Sequence, residues 1–141
     1  MQITKLDQMI EVLKPFPNKR LVAAWAVDAH TICAVHQAVE MDLVEGILVG
    51  DEKLILKACE AEKIDPTVFK IVHSPSDTAA AAKAVDLINS GEGDFLMKGL
   101  LSTDRYMKAI LNKERGLMEN GAILSHVTVE EKKSYLMCEF F

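Results

Sequence analysis

The chain has 141 residues, half of them hydrophobic and about a quarter charged, which suits a single globular domain with a core of its own. Sixteen Lys and Arg stand against 21 Asp and Glu, a formal charge of −5, and arginine occurs only at Arg20, Arg105 and Arg115. That balance argues against a nucleic-acid surface and means that any anionic ligand needs a local pocket rather than a global field.

In chain order, Leu6, Met9, Ile10 and Leu13 recur at helical spacing, with Thr4 as the expected N-cap and Pro15 and Pro17 as the stop. No signal-peptide run precedes them and no later stretch is apolar for long enough to span a membrane, so no membrane partner is expected. Leu21 to Val27 reads as a buried strand, followed by Asp28 and His30, then by a helix carrying Ile32, Val35 and Val39. Glu45 to Gly50 reads as a second strand. Asp51 is the expected cap of a helix whose apolar face is drawn through Leu54, Ile55, Ala58 and Ala61, and Pro66 ends it. Phe69 to His73 reads as a third strand, the cluster from Ser74 to Thr78 as a turn and cap, and the alanine-rich run through Val85 and Ile88 as a helix.

Phe95, Leu96 and Met97 form a fourth apolar run, read as a strand buried on both faces. A helix is expected from Thr103 to Asn112. Ala122 to Val129 and Tyr135 to Phe141 read as two strands joined by a turn at Glu130 to Ser134. Alternating strands and helices imply an α/β fold: a three-layer sandwich with a mostly parallel sheet flanked by helices, closed by a C-terminal antiparallel hairpin, in one domain spanning residues 1–141.

The stretch from Asp94 to Thr103 carries the chemistry. A short strand ends in Lys98 and Gly99, and two hydroxyls, Ser102 and Thr103, open the next helix. Helix N-termini offer free N–H groups and partial positive charge, and open parallel sheets take ligands beyond the carboxyl ends of their strands. Lys98, Gly99, Ser102 and Thr103 are therefore candidate ligands of an anion. The plainer alternative is a surface lysine, a turn glycine and an N-cap. Asp28, His30 and Ser74, with Gly50, Asp51 and His73, should gather along the same edge of the sheet, and Asp28, His30 and Ser74 are secondary candidates. Ser125 is a candidate hydrogen-bond donor; a Ser125–His126 nucleophile pair is improbable, because neighbouring strand residues face opposite ways.

Gly91, Gly93 and Lys98 complete neither a dinucleotide fingerprint nor a P-loop. The three cysteines, Cys33, Cys59 and Cys138, are isolated and odd in number, without metal-ligand spacing, which suggests a reducing compartment, the cytoplasm, and no metal site.

With these residues placed, the chain resembles the phosphate acetyltransferase and phosphate butyryltransferase family, and more closely the butyryltransferase branch. The resemblance runs from Leu6 to about Glu131. It is carried by Asp94-Phe-Leu-Met-Lys-Gly-Leu-Leu-Ser-Thr103, by Tyr106 to Leu117, by Leu124-Ser-His-Val127, by Val44 to Asp51 and by His73 to Asp77. It implies acyl transfer between acyl-CoA and inorganic phosphate, coenzyme A as substrate and no tightly bound cofactor. It also implies the first domain of a two-domain fold shared with isocitrate and isopropylmalate dehydrogenases. Ser102 and Thr103 match positions that hold phosphate, Lys98 and Gly99 match the motif beside them, and Ser125 matches a serine at the cleft.

The base and main arginine of the family belong to a second half absent from these residues. The resemblance thus implies a truncated acyltransferase with little activity alone, its catalytic residues unassigned. Two other readings stay open. One is a non-catalytic module that binds coenzyme A or phosphate, or that assembles with itself as a homo-oligomer through the apolar end at Phe140 and Phe141. The other is a metal-dependent dehydrogenase of related architecture, for which the strand ends offer mainly Asp28 and Asp51.

Overall fold

The centre of the fold is strand β1, Lys19–Ala24, whose residues Leu21 to Ala24 are all buried. In a computed structural model describing residues 2–133 and 136–140, β1 lies between β2, Val44–Gly50, and β4, Phe95–Lys98, and β3, Phe69–His73, pairs with the far side of β2. All three pairings are parallel, giving the order β3-β2-β1-β4.

Side chains alternate across this sheet, as the period of a strand dictates. Leu21 and Ala23 of β1 and Val44 and Leu48 of β2 join the core beneath α2, Ala29–Glu40, and α3, Glu52–Ala61. Val22 and Ala24 of β1 and Ile47 and Val49 of β2 join the core beneath α4, Asp77–Asn89, and α5, Thr103–Ile110. The buried residues Ile32 and Val35 of α2, Ile55 and Cys59 of α3, and Ala80, Ala84 and Leu87 of α4 fill the two layers. The α/β sandwich is therefore as the sequence implies. Each large aliphatic side chain so buried contributes about 1.5–3 kcal/mol before entropy is counted.

Several local expectations are corrected. Strand β4 is not buried on both faces: Phe95 is 44% exposed, because β4 stands at an edge of the sheet. Helix α3 buries Ile55 and Cys59, while Leu54 is 45% exposed and Ala61 is exposed, so its inward stripe is rotated from the expected one. A short 3-10 turn, Pro66–Val68, opens with Pro66.

The residues fall into two compact units, Asn18–Met118, which holds the four-stranded sheet, and a second formed by the residues up to Pro17 with those from Glu119 on. In the second unit α1, Leu6–Leu13, has Lys5 and not Thr4 at its N-cap; Gln8 Oε1 accepts from the N–H groups of Thr4 (2.7 Å) and Lys5 (3.1 Å). Leu6 N–H donates to Glu131 Oε2 at 3.0 Å. The antiparallel hairpin pairs β5, Val127–Glu131, with β6, Leu136–Phe140. The first of these strands starts at Val127 rather than Ala122, so Ser125 and His126 lie in exposed chain ahead of it. Ser134, Tyr135 and Phe141, part of the expected turn and terminal strand, lie outside the described residues, as does the side chain of Phe140.

Candidate functional site

The order β3-β2-β1-β4 makes the loops after β1 and β4 neighbours, which the sequence left undetermined. From β1 the chain winds outward through β2 to β3, then returns by α4 to place β4 on the other side of β1. The crevice between the carboxyl ends of β1 and β4 is thus the switch point of the sheet, where open α/β sheets take their ligands.

Two hydrogen bonds close the wall of that crevice. Gly99 N–H donates to the Ala24 carbonyl at 2.9 Å and Leu100 N–H to the Trp25 carbonyl at 3.0 Å. Trp25 turns the chain out of β1 with φ of 57°, a left-handed conformation that costs a non-glycine residue about 1–2 kcal/mol. A Cβ at Gly99 would lie 2.5 Å from both carbonyl oxygens. The glycine is required by the close approach of β1, and the space beside it is filled by the chain itself rather than left for a ligand.

Beyond Gly99 the loop folds tightly. Leu101 N–H reaches the Gly99 carbonyl at 3.0 Å, while Leu101 packs inward, 8% exposed. The Lys98 ammonium curls over this turn and donates to the carbonyls of Leu101 (2.7 Å) and Gly99 (3.4 Å). An ammonium has three N–H groups, so the loop carbonyls leave one for a ligand. Ser102 is the N-cap of α5: its Oγ accepts from Arg105 N–H at 3.2 Å. A hydroxyl that accepts in this way keeps its own proton to donate. The N–H groups of Thr103 and Asp104 open the helix, as does the Thr103 hydroxyl. Lys98, Ser102 and Thr103 therefore share one short loop, and Ser102 is the N-cap of the plainer alternative, a role that leaves its proton available.

Arg105, in the first turn of α5, forms an ion pair with Asp77 in the first turn of α4. The guanidinium holds the Asp77 carboxyl below the usual carboxylate range. Arg105 borders a groove of about 520 Å³ between the two helices, with Thr78, Asp104, Lys108 and Asn112. Lys108 pairs with Asp104 at 2.8 Å. Sequence reasoning passed over Arg105; its spacing three residues after Ser102, in a chain with only three arginines, was the available signal.

The secondary candidates divide. Asp28 caps α2, its Oδ2 accepting from Thr31 N–H at 3.1 Å, while Oδ1 is buried without a hydrogen-bond partner. His30 is exposed in the first turn of that helix. Both sit after β1, on the switch-point side. Ser74 follows β3, two strands away; it is 3% exposed and its N–H donates to the Gly50 carbonyl at 2.8 Å. His73 Nδ1 accepts from Glu52 N–H at 3.2 Å, and Asp51 caps α3 through Lys53 and Leu54. These groups join the ends of β2 and β3. Ser125 belongs to the other compact unit.

The Cys33 thiol lies 3.7 Å from Glu62 Oε2, and desolvation with that carboxylate pushes it up, away from the reactive thiolate. Burial pushes the Cys59 thiol up as well. Among the described residues, no group of three or more His, Cys, Asp or Glu side chains gathers to hold a metal, and no helix is long and apolar enough to cross a membrane.

No family model matches the chain. It is 35% identical over 123 residues to the phosphate butyryltransferase of Clostridium beijerinckii, a match covering 87% of this chain and 40% of that protein. It is 35% identical over 133 residues to the phosphate butyryltransferase of Clostridium acetobutylicum, covering 94% of this chain and 44% of that protein. The phosphate acetyltransferase of Rhizobium meliloti is 35% identical over 128 residues, covering 91% of this chain and 40% of that protein. Among solved structures, a branched-chain phosphotransacylase from Enterococcus faecalis superposes with a TM-score of 0.65 at 23% identity, covering 86% of this chain and 42% of that one. A phosphotransacetylase from Streptococcus pyogenes gives 0.71 at 13% identity, covering 89% and 47%. The chain is similar to phosphate butyryl- and acetyltransferases over nearly all its own residues and spans about two fifths of the length of the curated relatives it matches.

Proposed function

We propose, from this kinship, that the chain forms the phosphate-holding part of a phosphate acyltransferase that exchanges an acyl group between coenzyme A and inorganic phosphate. The observation that carries the reading is the Lys98 to Thr103 loop at the switch point of the sheet, in a chain 35% identical to phosphate butyryltransferases. In the acyl-CoA direction a phosphate oxygen attacks the thioester carbonyl carbon. The C–S bond then breaks, acyl phosphate forms and the thiol of coenzyme A leaves with a proton. Such a reaction is accelerated by holding the nucleophile in position and by stabilising negative charge.

In this reading the spare Lys98 N–H, the Ser102 and Thr103 hydroxyls and the first N–H groups of α5 hold phosphate oxygens. Asp28 and His30 border the same crevice, and Ser125 acts as a further donor to the substrate. The base is unassigned. Turnover by these 141 residues is expected to be low, because they span about two fifths of the relatives that bear the activity. No tightly bound cofactor is required. Unpaired Cys33 and Cys59 support a reducing, cytoplasmic setting. The exposed apolar stripe of α1, with Leu6 and Leu13, supports self-association.

The test is phosphate-dependent thiol release from butyryl-CoA, run beside phosphate binding. Release that falls on Lys98→Met supports the transferase. Phosphate binding that Lys98→Met weakens, with release low or absent, is what the reading predicts for a chain of this span; phosphate binding that Lys98→Met leaves unchanged, without release, assigns the chain to the alternative, a binding or assembly module. Neither binding nor release contradicts both.

A further inference from the structure

We propose that Arg105 is a positioning and masking residue: it ties the first turn of α5 to that of α4 and cancels the Asp77 carboxylate that would otherwise repel an anion from the Ser102–Thr103 loop. The inference rests on the phosphate-holding role of that loop and adds the group that makes it electrostatically workable.

The geometry has two parts. Through its backbone N–H, Arg105 is bonded to Ser102 Oγ, the cap of α5. Through its guanidinium it is paired with Asp77, at the start of α4. Both helices begin at the carboxyl edge, since α4 follows β3 and α5 follows β4 in a parallel sheet. One residue thus links both helix starts.

The charge balance gives this link its function. Asp77 and Asp104 place two carboxylates in the first turns of the two helices. These suit the helix dipoles but oppose a bound anion. Lys108 answers Asp104, and Arg105 answers Asp77. The Arg105 side chain is 53% exposed and faces the open groove beside Thr78, so its remaining N–H groups stay accessible while one carboxylate is neutralised. A guanidinium carries five N–H donors in a fixed fork, more than one carboxylate consumes.

The test is calorimetric titration of inorganic phosphate into the intact chain at low ionic strength, using wild type, Arg105→Gln, Asp77→Asn and the double variant. Masking predicts opposite signs: Arg105→Gln weakens phosphate binding and Asp77→Asn strengthens it, each by about two- to fivefold, as expected for charges at a solvated surface. The double variant returns close to wild type. Arg105→Lys, which keeps the charge, retains most of the affinity, and both single effects shrink as salt rises. A merely structural ion pair would weaken binding in both single variants alike, and that result overturns the proposal. Equal affinity in all four proteins overturns it too. No phosphate binding by folded wild type overturns it together with the role of the loop, so the two failures are distinguishable.

Discussion

The two edges of the parallel sheet make an instructive comparison. At the amino edge, Asp94 accepts from the Arg20 backbone N–H (2.7 Å), from Nε (3.1 Å) and from Nη2 (2.9 Å), Asn18 donates to Asp42 at 2.8 Å, and Lys70 lies 3.9 Å from Glu92. A concavity of about 620 Å³ opens there, against about 520 Å³ for the groove between α4 and α5, and its rim also carries Glu45. At the carboxyl edge, Lys98 and Ser102 are only partly consumed by their own loop. Size is therefore not the ground for the proposed site. The proposal rests instead on the donors that the Lys98 to Ser102 loop leaves over at the carboxyl edge.

The largest expected effect comes from the wall of the crevice. Gly99→Ala puts a methyl 2.5 Å from two carbonyl oxygens, so strand β4 must move. Urea denaturation should show a loss of about 2–4 kcal/mol, in the range of severe steric substitutions. A loss below about 0.5 kcal/mol, the range of a neutral surface change, would mean that β1 and β4 do not meet as described. Next is Ser102→Ala, which removes the cap of α5. It should cost about 1 kcal/mol and also weaken phosphate binding, whereas a cap without a ligand role would show the stability loss alone. Lys98→Met removes the hydrogen bonds to the Leu101 and Gly99 carbonyls, so it should cost about 0.5–1 kcal/mol and reduce phosphate affinity.

The smallest effect sharpens the amino edge. Its partners hold the Asp94 carboxyl down to about 2, chiefly through the Arg20 side chain. An unfolded Asp titrates near ~3.9, so the native state favours the ionised form. The stabilisation from this group is complete above about pH 4 and is lost as pH falls through about 2. Urea midpoints measured from pH 5 to 2 should fall more steeply in wild type than in Asp94→Asn. Asp65 and Asp77, also held low, supply the slope that remains. Identical slopes in the two proteins would show that the clamp is not formed.

Much of this architecture was legible in the sequence. β2, β3 and the helix caps Asp51 and Ser102 follow directly from apolar runs bounded by capping residues. The parallel sheet follows from the alternation of strand and helix. The edge position of β4 was not legible, because Phe-Leu-Met reads the same at the centre of a sheet and at its rim. The rotated face of α3 was missed because Leu54 and Ile55 are equally apolar and only packing chooses between them. At the site, Lys98, Ser102 and Thr103 share a short loop that sequence reasoning could place. The role of Gly99 depends on how β1 approaches it, and the value of Arg105 on Asp77, 28 residues away. Long-range pairings of that kind leave no periodic trace.

The central claim is that leftover donors at the carboxyl edge, and not the larger concavity at the amino edge, receive the anion. Amide chemical-shift mapping of the isotopically labelled chain during addition of inorganic phosphate tests it most directly. The account predicts saturable shifts centred on Gly99 to Arg105. Shifts centred on Arg20, Glu45 and Lys70 instead, or none anywhere, would contradict it.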